Sequence, residues 1–351
     1  MRLCRAIHNA GHSVELIIPG KKNSPSEDEI HQYYQLDTSF PITRIKIDYS
    51  GKGSIYIRAW RMARYILKQA HDAVYGRDSL VFAVCTWMGQ EVFLDAHGPP
   101  RQKSGLYGLI SHRLWSSDLL KGVTIVTEAL RQNYESVGVP SKHIHLVRNA
   151  SAPIRQVEAK LKFDRPVIGY IGHLYPGRGI DIIFEAAKAL PQYQFLIVGG
   201  NEKDIAYWKK QGLSNNIKMI GFVPAGEVAT YMRSCNLLLA PYQLEVGVWG
   251  GKENSVRYMS PIKLFEYMSS GIPMVVSDLP AIREVLSDQE ATFCPPDDAK
   301  AWEQAIAEHF DYPSAGHLKA LRAKALYSKF YSWEKRVLSL FNIFSTADKK
   351  I

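Results

Sequence analysis

The stretch VIGYIGHLYPGRGIDIIFEAAKALPQYQFLIVGG, residues 167 to 200, contains a short apolar strand, a glycine-rich turn, a helix and a second apolar strand. The first strand ends at Gly172, and the turn that holds Gly177 and Gly179 leads into a helix beginning near Ile180. Short, nearly continuous apolar strands that alternate with amphipathic helices are typical of parallel sheets covered on both faces. The stretch therefore predicts an α/β fold with a parallel sheet.

The same alternation recurs along the chain. The strand-like runs are VELIIP, TRIKID, AVY, VFLDAH, VTIVT and IHLVR in the first half, and VIGYIG, FLIVGG, IKMIGFV, LLLAP and MVVSD in the second. A chain of 351 residues with 46% apolar residues is also longer than one core usually supports. The predicted fold class is therefore α/β with two doubly wound, Rossmann-like domains.

The predicted domain boundary lies in NASAPIRQVEAKLKFDRP, which is polar, contains two prolines and lacks a strand pattern. We assign residues 1–150 to the first domain, 151–165 to a linker, 166–328 to the second domain and 329–351 to a terminal segment. The first domain opens with a helical pattern, RLCRAIHNAG, whereas doubly wound domains normally open with a strand. We expect either that the natural chain begins upstream of Met1 or that the first domain has lost an edge element.

Composition limits the class of protein. No run approaches the roughly 20 consecutive apolar residues that cross a bilayer, and the first residues lack a signal peptide, so we expect a cytoplasmic location. The four cysteines lie far apart and in no metal-ligand spacing, which indicates buried reduced thiols. The net charge of +9 leaves nucleic acid, an anionic membrane or a phosphate-bearing ligand as partners.

The glycine-rich turn is the first candidate phosphate site, because glycines let backbone amides approach an anion closely. The spacing of Gly172, Gly177, Arg178 and Gly179 comes close to a Walker A loop, but Arg178 stands where that loop has lysine and Gly179 where it has serine or threonine. A magnesium-dependent nucleoside triphosphatase is excluded on that basis. The turn predicts a guanidinium suited to phosphate oxygens, and a solvent-exposed arginine in an ordinary turn is the alternative.

The stretch SPIKLFEYMSSGIPMVVSD, residues 260 to 278, supplies a second candidate site. We expect Ser260 to cap a helix and Pro261 to occupy its first position, so that the free amides of the first turn bind an anion. Helical spacing puts Ile262, Leu264, Phe265 and Met268 on the apolar side, and Lys263, Glu266 and Ser270 on the other. A nucleotide lying along the helix fits this spacing, and an exposed Lys and Glu pair remains the alternative.

Several blocks of the second half resemble, in order and spacing, the donor-binding half of the retaining glycosyltransferases of family 4: GYIGHLYPGRGIDIIFEAAKAL, FLIVGG, GFVPAGEVATYMRSCNLLLAPY and SPIKLFEYMSSGIPMVVSDLPAIREVL. In the first half, VYGRD, FLDAHGPP, VTIVTEALRQNY and HLVRNAS resemble the acceptor domain, and YSWEKRVLSLFNIF resembles the terminal helix that crosses back to it. The resemblance implies the GT-B fold, in which two Rossmann-like domains face each other across a cleft. It is closest to members that make bacterial surface polysaccharides.

The resemblance assigns donor binding to Gly172, His173, Arg178, Phe222, Val223, Ser260, Pro261, Ile262, Lys263, Leu264 and Glu266. In the family, a glutamate at the position of Glu266 binds the ribose hydroxyls. The loop GFVPAGEV resembles one whose backbone recognises the base, with Phe222 and Val223 nearest to it and uracil preferred over guanine. An earlier glutamate that commonly contacts the donor sugar is replaced here by Tyr258. Ser260 and the neighbouring amides are the expected substitutes.

The resemblance also implies catalytic roles for His97, Arg178 and Lys263. The family places a histidine at the position of His97 beside the donor sugar. Arg178 corresponds to a lysine that grips the diphosphate, while His173 stands where many members have arginine. Without a raised pKa, an imidazole such as His173 is mostly neutral, so a simple turn histidine is the alternative.

The implied reaction is transfer of a hexose, with UDP-glucose or a similar UDP-sugar favoured, to a hydroxyl of a glycan or lipid-linked acceptor. The usual proposal for such enzymes is front-face attack with retained configuration, in which positive groups stabilise the departing diphosphate. No D-x-D triplet ends an apolar strand, so neither a metal nor another cofactor is expected. A GT-B epimerase or phosphorylase and a noncatalytic sugar-nucleotide-binding partner stay open as alternatives.

Basic residues interleave with apolar ones in IYIRAWRMARYILKQAH and PPRQKSGLYGLISHRLW. This pattern is typical of an amphipathic surface on an anionic membrane, and an ordinary solvated helix face is the alternative. Nucleic acid is not an expected partner, because no recognition motif accompanies the charge.

Overall fold

The computed structural model describes residues 1–20, 24–34, 40–46, 51, 53–101, 105–247 and 254–348. The chain divides into two compact units. Unit 1 contains Met1–Arg148 and Trp333–Ile351, and unit 2 contains Asn149–Ser332. Within the described ranges, no helix is both long enough and apolar enough to span a bilayer.

Unit 1 contains two parallel sheets. The first pairs β1 (Leu16–Gly20) with β2 (Ile42–Lys46). The second follows the order of the chain: β3 (Tyr75–Gly76), β4 (Val92–Ala96), β5 (Leu120–Ile125) and β6 (Ile144–Leu146). The strand β4 is buried at every residue, as expected for a strand covered on both faces.

The helices of unit 1 are α1 (Arg2–Asn9), α2 (Glu27–Tyr34), α3 (Ser54–Ile66), α4 (Ser79–Trp87), α5 (Gly105–Trp115), α6 (Arg131–Glu135) and α14 (Trp333–Asp348). Two 3-10 turns span Glu128–Leu130 and Ser141–His143. The side chain of Asp78 caps α4 by accepting hydrogen bonds from the amides of Leu80 and Val81. Helix α14 packs through Phe344, whose ring contacts those of Tyr75 and Phe93.

Unit 2 has one parallel sheet of six strands in the order β12, β11, β10, β7, β8, β9. The strands are β7 (Val167–Ile171), β8 (Gln194–Val198), β9 (Ile217–Gly221), β10 (Leu237–Ala240), β11 (Met274–Ser277) and β12 (Thr292–Cys294). The chain order reverses between β7 and β10. In open α/β sheets, this switch point is where ligands bind, beyond the carboxyl ends of the strands.

The helices of unit 2 are α7 (Ile180–Ala189), α8 (Glu202–Lys210), α9 (Val228–Met232), α10 (Ile262–Ser270), α11 (Pro280–Arg283), α12 (Ala299–Asp311) and α13 (Pro313–Phe330). They enclose two apolar clusters, one of which contains Leu264 and Phe265 and the other Phe195 and Trp302. The buried Trp302 satisfies its indole N–H by donating to the carbonyl of Pro295.

The segment predicted as a linker, residues 151–165, contains neither helix nor strand but is attached to unit 2. Ile154, Leu161 and Phe163 pack against the core. The amide of Leu161 donates to the hydroxyl of Ser234, and the amide of Ile154 donates to Ser269. The segment is therefore a fixed edge of unit 2.

Each predicted apolar run contains a strand, and the α/β fold class is confirmed. The sequence reasoning missed β12, since TFC is too short to show a period. The four cysteines are buried and unpaired, as predicted. Two predicted segments extend beyond the described residues: TRIKID reaches positions 47 and 48, and PPRQKSGLYGLISHRLW includes positions 102–104.

Candidate functional site

The carboxyl ends of β7 and β10 frame a polar site at the switch point of unit 2. Strand β7 ends at Ile171 and is followed by Gly172, and β10 ends at Ala240 and is followed by Pro241 and Tyr242. The first turn of α10 also lies at this switch point. Its Lys263 is close to Gly172, since a Cβ atom added to Gly172 would be 3.1 Å from Nζ of Lys263.

The glycine-rich turn is fixed by the loop that follows β10. Gly177 and Gly179 have positive φ angles of 80° and 73°. A Cβ atom on Gly177 would lie 1.8 Å from the carbonyl oxygen of Glu245, and one on Gly179 would lie 1.8 Å from that of Pro241. The amide of Gln243 also donates to the carbonyl of Gly177 at 3.0 Å. Only glycine fits these two positions without a shift of the backbone.

Two cations lie against tyrosine rings at the switch point. Nζ of Lys263 is 3.8 Å from the ring centroid of Tyr170 and 4.8 Å from that of Tyr242, and Cζ of Arg178 is 5.2 Å from the ring centroid of Tyr242. Both Nζ of Lys263 and Nε of Arg178 are buried, and neither has a hydrogen-bond partner among the described residues. Cation–π contacts offset only part of the cost of removing such groups from water.

The pKa values at this site reflect burial and like charge. Burial and the neighbouring guanidinium of Arg178 lower the pKa of Lys263 far below its ordinary value, against an opposing effect of Glu266. Desolvation and the charges of Arg178 and Lys263 also lower the pKa of His173, which favours the neutral imidazole. Burial raises the pKa of Tyr242 to about 12. The site is therefore rich in basic groups, and Glu266 is the anion that opposes the lowering of the Lys263 pKa.

The start of α10 differs from the prediction. Pro261, with φ −73° and ψ 117°, is the N-cap, and the helix begins at Ile262, so Ser260 does not cap it. The hydroxyl of Ser260 is buried without a hydrogen-bond partner in the described part of the chain, while its carbonyl accepts from Nδ2 of Asn149 at 2.8 Å. The extended ψ of Pro261 places Ser260 one residue too early to act as the cap.

The faces of α10 also need correction. Ile262 is 43% exposed rather than part of the apolar side, and Ser270 is buried, with its hydroxyl donating to the carbonyl of Tyr267. Leu264 is fully buried, and its amide donates to the carbonyl of Pro261. Lys263 places its ammonium group inside the protein rather than on the surface. The helix therefore directs a buried cation, and not an exposed polar stripe, at the switch point.

Glu266 and the predicted base-recognition loop occupy the surroundings of this cluster. Glu266 is partly exposed one turn after Lys263, and its charge raises the pKa of both Lys263 and Tyr242, so the three belong to one electrostatic site. Beyond β9, Phe222 is 64% exposed, whereas Val223 packs against the apolar core. The ring of Phe222 is therefore the more accessible of the two side chains, and Val223 is only partly exposed.

His97 lies in unit 1, directly after β4. Its Nε2 is 3.0 Å from Oδ2 of Asp95, and its side chain is 27% exposed. Burial alone would raise the pKa of Asp95, but the hydrogen bond from His97 and the charges of Arg336, His97 and Arg77 hold it well below its usual range. His97 is thus attached to a buried, ionised carboxylate.

Sequence reasoning missed the tyrosines and the carboxylate. Tyr170 and Tyr242 read as ordinary apolar positions at the ends of strands. Asp95 could have been identified from the sequence, because it is a charged residue inside an apolar strand. Residues two apart on a strand face the same side, so Asp95 shares a side with His97. Arg336 could not be identified in this way, since it is 241 positions from Asp95 along the chain.

Comparison with known proteins agrees with this architecture. The profile described as "Glycosyltransferase Family 4" matches residues 1–151, and that described as "Glycosyl transferases group 1" matches residues 165–311. The chain is 30% identical over 136 residues to the phosphatidyl-myo-inositol mannosyltransferase of Mycolicibacterium smegmatis. That match covers 37% of this chain and 32% of the relative, so the chain spans about a third of the length of that protein.

Solved structures share the fold over almost the whole chain. Sucrose-phosphate synthase from Thermosynechococcus elongatus has a TM-score of 0.72 at 15% identity, covering 98% of this chain and 91% of that protein. Anabaena HepE, solved in complex with UDP and glucose, has a TM-score of 0.68 at 15% identity. The match covers 96% of this chain and 100% of HepE. At this identity the likeness concerns the fold, and the predicted pair of Rossmann-like domains is confirmed.

Proposed function

Because the chain belongs to the glycosyltransferases of group 1 and family 4, we propose that it moves a hexose from a nucleoside diphosphate sugar to a hydroxyl of a glycan or lipid-linked acceptor. The observation that carries the proposal is the pair of basic side chains at the switch point beside Glu266, Lys263 with a buried Nζ and Arg178 with a buried Nε. A diphosphate supplies two adjacent anionic groups that suit such a pair. The carboxylate of Glu266 then binds the ribose hydroxyls.

In the proposed reaction, the departing diphosphate is stabilised where its charge develops. Nζ of Lys263 and Nε of Arg178 are already buried, and electrostatic interactions act more strongly there than in water. The buried hydroxyl of Ser260, three residues before Lys263, provides a further donor. The acceptor hydroxyl attacks from the face the diphosphate leaves: its oxygen bonds to the anomeric carbon as the bond from that carbon to the diphosphate breaks, its proton passes to the departing diphosphate, and the anomeric configuration is retained. We propose that no metal is needed, since the two side chains supply the positive charge.

The donor and the acceptor are proposed from likeness. The complex of HepE with UDP and glucose favours UDP-glucose or a similar UDP-sugar, and the name of the mycobacterial relative favours an acceptor that carries a lipid. A role in polysaccharide synthesis at the cytoplasmic face of a membrane is consistent with both.

The first test is thermal stability with UDP, GDP, ADP and CDP in the presence of EDTA. A ligand at 100 times its Kd adds about 2.7 kcal/mol to the folded state, so we expect one diphosphate, UDP, to raise the Tm without metal. Arg178→Ala and Glu266→Ala should remove the effect. The matched controls are Lys188→Ala and Glu185→Ala on the exposed surface of α7, which should keep it. Absence of any shift in the wild type would overturn the proposal.

A product assay separates a transferase from an epimerase, a phosphorylase or a binding protein. UDP release that requires an added glycan or lipid-linked acceptor identifies transfer, and the anomeric configuration of the product tests retention. Conversion of the donor sugar without acceptor would instead identify an epimerase. Binding of UDP without turnover would leave only the sugar-nucleotide binder.

A further inference from the structure

Asp95 is the centre of a buried hydrogen-bond network in unit 1. Its side chain is 3% exposed. Oδ1 accepts from Nη2 of Arg336 at 2.8 Å and from the hydroxyl of Thr124 at 3.3 Å. Oδ2 accepts from Nε of Arg77 at 2.9 Å and lies 3.0 Å from Nε2 of His97. Each carboxylate oxygen therefore has two partners, and the group is held from both sides.

The network determines which nitrogen of His97 carries the proton. An ionised carboxylate has only acceptor sites, so Nε2 of His97 must be the donor in this contact. Arg336, with its side chain 2% exposed, keeps Asp95 ionised by direct charge pairing at 2.8 Å. A neutral imidazole with its proton on Nε2 has a lone pair on Nδ1. Whenever this imidazole is neutral, Nδ1 is therefore a hydrogen-bond acceptor.

Arg336 fixes the carboxylate by joining it to the terminal helix. It lies in the first turn of α14 and donates through Nη1 to the carbonyls of Val147 and Arg148. Through Nη2 it reaches Asp95 and, at 3.3 Å, the hydroxyl of Tyr75. Four hydrogen-bond partners hold the Arg336 side chain in one orientation. Because Arg336 also binds Asp95, it fixes the position of the Asp95 carboxylate as well.

We propose that Asp95, held by Arg336 of α14, is a positioning residue that keeps His97 protonated on Nε2 and presents Nδ1 as the acceptor for a substrate hydroxyl. The partner of His97 must then carry an O–H group, as a sugar or an acceptor alcohol does, and not an unprotonated phosphate oxygen, which has no hydrogen to donate. The assignment rests on the proposed function, because it gives His97 a hydroxyl-bearing substrate. It gives α14 a role in the site through Arg336.

The direct test reads the tautomer and needs no activity. Two-bond proton–nitrogen NMR spectra of the full chain with labelled histidine, with His97 assigned by its loss in His97→Gln, should show a protonated Nε2 and an unprotonated Nδ1. In Asp95→Asn the amide can either donate or accept, so the Nε2 proton should no longer dominate. A wild-type Nδ1–H tautomer, an imidazole protonated on both nitrogens at the assay pH, or an unchanged His97 signal in Asp95→Asn would overturn the proposal.

Loss of the negative charge leaves Arg336 buried without its anion, and Asp95→Asn alone could unfold. The double variant Asp95→Asn with Arg336→Gln removes both charges and keeps two hydrogen-bonding amides of similar size. The tautomer of His97 should change in the double variant as well. If the folded double variant keeps the wild-type signal, Asp95 does not position His97.

Kinetics supply the second readout. Asp95→Asn should lower kcat about 10- to 100-fold, as loss of a supporting carboxylate does elsewhere, with UDP stabilisation of unit 2 retained. Adding His97→Ala to Asp95→Asn should lower kcat little further, because each substitution alone already removes the same acceptor, Nδ1 of His97. Lys121→Gln, which breaks the surface pair with Glu91 at 2.8 Å on neighbouring β5, is the control. Additive losses would overturn the coupling, whereas absence of UDP binding in the wild type would contradict only the proposed function.

Discussion

The side-chain nitrogen of Lys263 is buried, binds no described acceptor and has a pKa far below its ordinary value, so keeping this group inside the ligand-free protein costs free energy whether it is charged or loses its proton. We expect Lys263→Met, which keeps the length and removes the charge, to stabilise the ligand-free chain by about 1 to 3 kcal/mol at pH 7 and to abolish UDP stabilisation. Such an exchange of stability for function is common at binding sites. Denaturant unfolding with and without UDP measures both effects, and Lys188→Met on the exposed face of α7 is the control.

The same residue predicts a pH dependence. Its pKa is far below the ordinary value in the folded state and about 10.4 in the unfolded state. Between these values the unfolded chain binds more protons, so the free energy of unfolding rises with pH through that window. We expect this rise in the wild type and a flatter curve in Lys263→Met, from unfolding measured between pH 7 and 10. A curve of the same slope in both proteins would contradict a lowered pKa.

At the residue scale, the sequence predicted the positive charges better than their surroundings. Arg178 and Lys263 follow from a glycine-rich turn and from spacing near a helix start, which are local patterns. The rings of Tyr170 and Tyr242 meet Lys263 only because β7, β10 and α10 converge, and that convergence depends on the strand order. The same limit explains why Arg336 could not be paired with Asp95.

The contact between the glycine-rich turn and the loop after β10 can be tested with two glycines, Gly177 and Gly212, that have similar φ angles but different surroundings. Gly177 has φ +80° and would place a Cβ atom 1.8 Å from the carbonyl oxygen of Glu245. Gly212, after α8, has φ +95° with open space around its Cβ position. We expect Gly212→Ala to cost about 1 to 2 kcal/mol from the backbone angle alone and to retain UDP stabilisation.

Gly177→Ala should cost more, since the turn must move away from the β10 loop as well, and it should lose the stabilisation by UDP. Urea unfolding of both variants, followed by the UDP shift, separates strain from displacement of the turn. Equal losses of stability in both variants, with UDP binding intact, would mean that the contact with Glu245 does not hold the turn in place.

For individual strands, the local sequence pattern was sufficient to predict the element. Strands buried on both faces have unbroken apolar runs, so β7, β8, β10 and β11 were readable one by one. The helix start at Ser260 and Pro261 was wrong by one residue, because two residues that favour helix starts stand side by side and the backbone angle of Pro261 decides between them.

At the scale of the whole molecule, the alternation of strands and helices was enough to predict two Rossmann-like domains. It was not enough to show that residues 333–351 belong to the unit that begins at Met1. That grouping depends on buried contacts distant in sequence, such as Phe344 with Phe93 and Arg336 with Asp95. The pattern of apolar residues indicates which face of each helix or strand is buried, but not which other element packs against that face.

The net charge of +9 gives the last prediction, because part of it forms a stripe on α3. The stripe consists of Arg61 and Arg64 on α3 and Lys68 just after its end, all exposed, beside two exposed apolar side chains of α3, Ile57 at 40% and Trp60 at 45%. Such a helix face fits the surface of an anionic bilayer, where each basic residue contributes about 1 kcal/mol. We expect the protein to co-sediment with anionic vesicles but not with neutral ones, and the binding to weaken as salt is added.

Replacing Arg61, Arg64 and Lys68 by Gln should weaken vesicle binding about 150-fold, since three charges at about 1 kcal/mol each amount to about 3 kcal/mol. The matched control replaces the exposed lysines of α8 in unit 2, Lys203, Lys209 and Lys210, by Gln. It removes the same number of charges, so it separates the position of the charge from its total. If both triple variants lose binding equally, net charge alone attracts the vesicles and the α3 stripe is an ordinary solvated surface. If only the first does, the stripe is the contact through which the protein binds the anionic surface.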